Sequence, residues 1–206
     1  MDRPHHERID DPVFRQAVDL VDNGNLDGLR DHLGRHPDLV RQRVLFEGDG
    51  YFSQPGLLEF VAENPVRHNR LPPNVVDVAR LILDTGAKLD QRAIDSTLGL
   101  VCSGRVAREY RLQVPLIDLL CDYGADPAGA MMSALVHGEF EAVDALIRRG
   151  ATIDLTLAAA TGRTDKATAD KAAAFVQKMQ EHLKAKNFEE VEKTADSILK
   201  MMGEQR

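Results

Sequence analysis

The sequence predicts an all-α fold, a solenoid of stacked helical repeats, from three observations. One segment type, an apolar helix end followed by two mostly polar residues, Gly-Ala and an aspartate, occurs at 81–90, 119–126 and 145–154. Apolar side chains around these segments recur at the spacing of amphipathic helices. Aromatic residues make up only 5% of the chain and tryptophan is absent, which suits a core of small, closely packed helices. Internal repetition of this kind indicates units that bury their apolar faces on one another.

The clearest unit covers residues 131–154 and predicts a helix, a tight turn, a second helix and a return. Met131 and Met132 are expected to fill the core at the start of the first helix. Gly138 and Gly150 should end the two helices, because glycine adopts the left-handed C-cap conformation without steric cost. The second helix is predicted to bury four apolar side chains at helical spacing. These are Phe140, Val143, Leu146 and Ile147.

These units resemble the ankyrin repeat, whose consensus reads roughly T-P-L-H-L-A-A-x-x-G-H-L-E-V-V-K-L-L-L-E-A-G-A-D. The matching stretches are 20–27, 58–64, 134–143 and 155–162. The first of them is a weak copy, whose second helix should run to about Leu33. The resemblance covers residues 12–164 and implies a helical solenoid of four to five degenerate units. It is to a divergent bacterial ankyrin-type group, for which the resemblance implies no assigned activity.

Departures from the ankyrin pattern define where the units are irregular. The T-P-L-H tetrapeptide is nowhere intact, and the spacing between the Gly-Ala pairs is not constant. Insertions fall near 45–55, 65–74 and 105–114. The last two occupy equivalent places in successive units, so stacking should bring them side by side.

Three regions are expected along the chain: a flexible N-terminus (1–11), the repeats (12–164) and a C-terminal helical hairpin (165–206). Terminal segments are often poorly ordered. The last region is set apart by composition, since it carries lysines where the repeats carry arginines. A capping role is the simplest interpretation of the hairpin, because a solenoid needs a polar-faced last unit. A separate interaction or dimerisation hairpin and a fusion are the alternatives.

Composition excludes several classes of function. The formal net charge is −7 and no basic stripe is present, so nucleic-acid binding is not expected. No apolar run reaches the length of a membrane span, and no signal peptide is visible, which predicts a cytoplasmic protein without membrane attachment. Cys102 and Cys121 do not make a disulfide framework. A buried cysteine acts as a small hydrophobe, and that role is expected for both.

No motif for catalysis, cofactor binding or metal binding is recognisable in the sequence. His5, His6 and Glu7 are adjacent, and adjacent residues seldom converge on one metal ion. His32 and His36 lie near the end of a helix, where an imidazole interacts favourably with the helix dipole. Glu59 and Glu63 are four residues apart, and a solvated helix face is expected for them. We therefore predict no catalytic residue, no cofactor and no metal.

A partner-binding surface is predicted on the long insertions, because loops carry a disproportionate share of function. Aromatic and basic side chains concentrate there: Phe46, Tyr51, Phe52, Arg67, His68, Arg70, Arg105, Arg108, Tyr110 and Arg111. The hypothesis is a basic, aromatic-bearing ledge for an acidic peptide or protein surface. The alternative is that the aromatic residues cover the junction between the first two units while the arginines pair with carboxylates of the chain.

The predicted function is a non-catalytic scaffold that binds a protein or peptide through its long loops and concave face. This rests on analogy at the level of the fold. One alternative is a small hydrolase-like enzyme, for which the sequence offers only scattered Ser53, His68 and Tyr110. Another is a regulatory or immunity protein that blocks one cognate enzyme. The oligomeric state is left open.

Overall fold

The computed structural model describes residues 8–46 and 50–151. The predictions for His5, His6 and Glu7, for the 155–162 repeat stretch and for the 165–206 hairpin lie outside the described residues. Within them the chain is helical, and the one bridge between extended segments is an isolated antiparallel pair, Arg43 with Gly56. The all-α class is therefore confirmed for this part of the chain.

The α-helices are α1 (Pro12–Asp22), α2 (Leu26–Arg35), α3 (Val75–Thr85), α4 (Gln91–Cys102), α5 (Arg105–Glu109), α6 (Gln113–Asp122), α7 (Met131–Val136) and α8 (Phe140–Arg148). Short 3-10 helices span Pro37–Val40, Leu57–Ala62 and Ala87–Leu89. Side chains cap several α-helices. The Asp11 carboxylate accepts from the Val13 and Phe14 amides at the start of α1, and Asp90 accepts from the Ala93 amide at the start of α4. Such N-caps satisfy amide groups that have no partner inside the helix.

The helices pack in two rows. In one row α1, the 57–62 helix, α4 and α7 contact one another in that order, and in the other α2, α3, α6 and α8 do so. Each member of the first row also packs against the second-row helix that follows it along the chain. A helix pair of this length cannot bury its apolar faces alone, and this alternation gives each pair a neighbour on which to bury them.

The 57–62 helix is the most enclosed element of the described chain. All six of its side chains are buried, because α1, α3 and α4 surround it. Phe60 packs edge-to-face on Phe14 of α1, with ring centroids 6.0 Å apart. The expectation that Glu59 and Glu63 lie on a solvated face is wrong, since they are only 4% and 1% exposed. A helix surrounded by three neighbours has no face left for solvent, whatever its sequence periodicity.

Five helix ends share one cap geometry. In each, the second residue after the helix has a positive φ and its amide donates to the carbonyl three residues back. The amide of the following residue donates to the carbonyl five residues before it. Glycine holds this position at 24, 124, 138 and 150. Arg111, at φ 58°, holds it after α5. The left-handed conformation costs a residue with a Cβ atom roughly 1–2 kcal/mol, so Arg111 is the strained member of the set.

Two boundaries differ from the sequence prediction. The flexible N-terminus does not extend to residue 11, because Ile9 is fully buried and its carbonyl accepts from the Arg15 side chain at 2.9 Å. The 105–114 insertion is not a loop throughout, since it contains α5 and the first two residues of α6.

The apolar faces of α7 and α8 also differ from the prediction. Met131, Val143 and Leu146 are buried as expected. Met132 and Phe140 are mostly exposed, which contradicts the core positions predicted for them. Helical periodicity identifies an apolar stripe, but it does not establish that a neighbour covers every residue of the stripe.

Substituting the cap glycines by alanine should destabilise the fold to different extents. Gly138→Ala is expected to lower the free energy of unfolding by about 1–2 kcal/mol, since only the left-handed conformation is strained there. Gly24→Ala should cost more, because its new Cβ atom would lie 2.3 Å from Asn74 Oδ1 and 2.7 Å from Pro72 Cβ. Chemical denaturation of the two variants measures the difference. Equal losses would contradict the close packing of Gly24 on the 72–74 segment.

Candidate binding surface

The aromatic residues of the 45–55 insertion divide between the core and the surface. Phe46 and Phe52 are buried, with ring centroids 5.6 Å apart, and Phe52 packs on Phe60 at 5.3 Å. These two rings cover the junction between the first helix pair and the second. They therefore pack within the fold rather than form part of a partner-binding ledge. Tyr51 is 72% exposed, and its hydroxyl donates to Asn64 Oδ1 at 3.1 Å. Of the three aromatic residues in this insertion, Tyr51 is therefore the one whose side chain is available to a partner.

Arg67 is part of a buried ion network. Its side chain is 1% exposed, and its guanidinium binds both carboxylate oxygens of Asp22, at the end of α1, at 2.6 Å. The same group lies 3.1 Å from the Glu63 carboxylate, donates to the Phe60 carbonyl and stacks over the Phe60 ring. His68 Nε2 lies 3.0 Å from the Asp22 carboxylate. Arg67 and the partly buried His68 thus hold the insertion to α1.

Glu63 fixes the turn that follows the 57–62 helix. Its Oε1 atom accepts from the backbone amides of Arg67, His68 and Asn69. A carboxylate bonded by three amides and a guanidinium satisfies its lone pairs without water. The 65–74 insertion is consequently an ordered part of the fold rather than a free arm.

A second buried carboxylate, Glu59, is held by a separate set of contacts. Arg43 joins it to Asp90, with Nη1 at 3.2 Å from Glu59 and Nη2 at 3.3 Å from Asp90. Glu59 also accepts from the Gly56 amide and from the Ser96 hydroxyl of α4. These bonds link the end of the first insertion to the start of α4.

The remaining residues of the predicted ledge lie at the surface. Arg105 pairs with Glu109 at 2.7 Å and donates to Asn69 Oδ1 at 2.5 Å, so the 65–74 and 105–114 insertions are in contact. Arg108 pairs with the buried Glu139 at 2.6 Å, yet its own side chain is 43% exposed. Three further ledge residues are exposed: Arg70, Tyr110 and Arg111. The ledge therefore consists of surface arginines partly neutralised by carboxylates, without the contribution expected from Arg67.

A groove of about 400 Å³ runs along α4 between Tyr51 and α7. Its lining is formed by Tyr51, Asn64, Ser96, Gly99, Leu100, Ser103, Ser133 and His137. Asn64 holds one wall to α4, since its amide nitrogen donates to the Leu100 carbonyl and to Ser103 Oγ at 3.0 Å each. Val136, 72% exposed, lies on the same face of α7 as Ser133 and His137. The groove lining thus combines polar side chains with apolar surface.

Sequence reasoning missed this groove, although a signal for it was present. Ser96, Gly99, Leu100 and Ser103 follow the i, i+3, i+4, i+7 spacing of one helix face. Three of these four residues are small, which leaves room above the helix. The pattern alone does not reveal that Tyr51 and α7 form the two walls, because both are distant in sequence.

The hydrolase alternative requires a nucleophile and a base in contact. In the groove, the hydroxyl protons of Ser96 and Ser103 are directed to Glu59 and to the Gly99 carbonyl. The His137 imidazole Nδ1 lies 2.8 Å from the Ser133 carbonyl. No hydrogen bond joins a groove serine hydroxyl to this imidazole among the residues that the structure describes. The predicted candidates Ser53, His68 and Tyr110 do not line the groove.

The two cysteines lie on neighbouring helices, Cys102 on α4 and Cys121 on α6. Burial raises the pKa of both thiols above the usual range, and Arg149 partly opposes this at Cys121. The thiolate is the reactive form of cysteine, so these positions favour packing over redox chemistry.

Neither a metal site nor a membrane span is found in the described ranges. Residues 8–46 and 50–151 contain no group of three or more histidine, cysteine or acidic residues arranged to hold a metal ion. His32 is buried, and its Nε2 atom lies 2.9 Å from the Val13 carbonyl. No helix in these ranges combines the length and the apolar character needed to cross a bilayer. Comparison with protein families, curated proteins and solved structures finds no match to this chain.

Removing Arg67 should destabilise the protein far more than removing Arg105. Arg67→Ala leaves Asp22 and Glu63 buried without a counter-ion, and a loss of about 3–5 kcal/mol in the free energy of unfolding is expected. Arg105→Ala removes an exposed pair and should cost less than about 1 kcal/mol. Denaturant titration of both variants tests this. Similar values for the two would show that the Arg67 network does not hold the insertion.

Proposed function

We propose that this chain is a non-catalytic, ankyrin-like helical-repeat protein that binds a protein or peptide partner. The groove along α4 is the observation that carries the proposal: the exposed Tyr51 lines it, and the exposed Val136 lies one helical turn from its lining residue Ser133. Stacked helical repeats offer extended surfaces rather than closed pockets. The order of helix contacts in the two rows supports the same architecture.

The chemistry of the groove suits a polypeptide segment. Its serine hydroxyl oxygens and the His137 imidazole are polar groups that can bond peptide groups. Exposed tyrosine and aliphatic side chains at the edges supply contact area, and such residues frequently dominate binding energy in interfaces. The groove is lined by residues beside the 57–62 helix and by residues on or next to α4 and α7, which are successive members of the first row. A polypeptide bound in the groove would therefore cross several helix pairs.

A regulatory role, in which the chain blocks one cognate enzyme, is a specific form of this proposal. Surface arginines at the ledge support an acidic partner, because opposite charge steers association and selects partners. The number of partners separates the two forms: a scaffold should bind several proteins, whereas an inhibitor should bind one tightly.

The groove can be tested with the full chain as bait and two disruptive variants. Ser133→Arg places a bulky charged side chain in the groove, and the double variant Tyr51→Ala, Val136→Ala removes both edges. Each should weaken binding to a partner captured by the wild type by about tenfold or more, measured by calorimetry with the purified partner.

Leu45→Ser is the matched control, since Leu45 is highly exposed but does not line the groove. Circular dichroism should show that all variants are folded. Unchanged affinity in both groove variants would refute the groove as the binding surface. A charge reversal that tests the ledge changes Arg70, Arg105 and Arg111 to glutamate and leaves Arg67 in place, because substituting Arg67 would disrupt the buried ion network.

A further inference from the structure

The groove along α4 offers a ligand more hydrogen-bond acceptors than donors. The amide nitrogen of Asn64 donates to the Leu100 carbonyl, which can only accept, and its second proton goes to Ser103 Oγ. The Asn64 oxygen is therefore an acceptor, and the Tyr51 hydroxyl donates its proton to it. Asn64 and Tyr51 are thus left with lone pairs and without a free proton.

Three other polar side chains of the lining also direct their protons into the fold. The Ser96 hydroxyl donates to the Glu59 carboxylate, and the Ser103 hydroxyl donates to a backbone carbonyl of α4 at 2.9 Å. His137 Nδ1 donates to the Ser133 carbonyl at 2.8 Å, which leaves Nε2 of the neutral ring as an acceptor. A ligand rich in donors is therefore the one whose hydrogen bonds the groove can satisfy.

The charge behind Ser96 has the sign that attracts a cation. Glu59 and Asp90 share the guanidinium of Arg43, and no second ion pair of either carboxylate is found among the described residues. Two carboxylates that share one guanidinium leave negative charge in excess. Glu59 is buried, so water screens this charge less than it would at the surface. No lysine or arginine belongs to the lining to cancel it.

A lysine side chain has the complementary chemistry. Its ammonium group carries three N–H donors, no acceptor and a positive charge. These donors rotate about a compact charge, which suits single acceptors on separate side chains, whereas the rigid fork of arginine suits a carboxylate. The methylene stem can lie on the apolar surface of the groove while the charged end reaches the polar groups.

We propose that the groove along α4 holds its polypeptide partner by a lysine side chain, whose ammonium group donates to Ser96 Oγ and to other acceptors of the lining. The inference rests on the proposed protein-binding function and specifies the chemistry of the occupant. The arginines of the ledge do not line the groove. One partner can therefore present acidic side chains to the ledge and a lysine to the groove.

The test uses three blocked pentapeptides that differ only in the central residue, which is lysine, norleucine or glutamate between alanine and glycine. Norleucine keeps the apolar stem of lysine without the ammonium group. Each peptide is titrated into the full chain at millimolar concentration and followed by NMR. The lysine peptide should shift the backbone amides of Gly99, Leu100 and Ser133 and bind at least about tenfold more tightly than the norleucine peptide. The glutamate peptide should bind most weakly.

Two pairs of variants locate the ammonium group. Ser96→Ala removes the acceptor beside Glu59 and should reduce the preference for lysine over norleucine at least about threefold. Ser53→Ala is its matched control, since Ser53 does not line the groove, and it should keep the full preference. Ser133→Glu and Ser133→Gln have the same shape and differ in charge, so Ser133→Glu should bind the lysine peptide at least about threefold more tightly.

The NMR spectrum of each variant shows whether it is folded, and the Ser133 pair decides the matter if Ser96→Ala is not. The inference is overturned if the norleucine or glutamate peptide binds as tightly as the lysine peptide, if Ser96→Ala and Ser53→Ala show the same preference, or if the two Ser133 variants bind alike. In these cases the groove still binds polypeptide, so the proposed function is unaffected. If none of the three peptides shifts a groove amide, the inference is overturned and the groove itself loses support as a peptide site.

Discussion

Glu59 and Glu63 are buried carboxylates, and each is paired with an arginine. The arrangement of the first three helix pairs depends on these two ion pairs. An ionised group in a protein interior needs a counter-ion and hydrogen bonds. Glu63 obtains them from Arg67, which also binds Asp22 at the end of α1. Glu59 obtains them from Arg43, which also binds Asp90 at the start of α4. The two networks therefore tie the 57–62 helix to the members of its row on either side.

This pairing also determines which parts of the insertions are available to a partner. Arg67 and His68 are engaged with α1, and Phe46 and Phe52 with Phe60, so these residues support the surface from beneath. Tyr51 is left exposed as a result, and the Asn64 side chain holds it against the wall of the groove. The packing of Phe46 and Phe52 on Phe60 and the hydrogen bond from Tyr51 to Asn64 thus order the 45–55 insertion, although it has no regular secondary structure.

The repeated cap geometry has a different role. Four glycines and Arg111 end their helices with the same pair of cap hydrogen bonds. Where glycine occupies the cap, the position is conformationally relaxed and contributes little surface. Arg111 adopts the same left-handed conformation with a Cβ atom, at a cost that glycine would avoid.

Much of the fold was predictable because its signals are local. The Gly-Ala segments and the apolar periodicity identified the helix ends at Gly138 and Gly150 and the helical class of the described chain. These features depend on backbone geometry and on neighbours within one or two turns, which a single sequence records directly.

The tertiary structure decided which of the predicted residues are buried and which reach the surface. Glu59 and Glu63 have the spacing of a solvated face, yet they are interior because their counter-ions come from residues 43 and 67 and because α1, α3 and α4 enclose them. Met132 and Phe140 belong to apolar stripes, yet they are exposed. The groove likewise depends on α4, α7 and Tyr51 meeting in space. Sequence periodicity determines which side chains share a face, whereas burial depends on what covers that face, and only the packing of distant segments decides it.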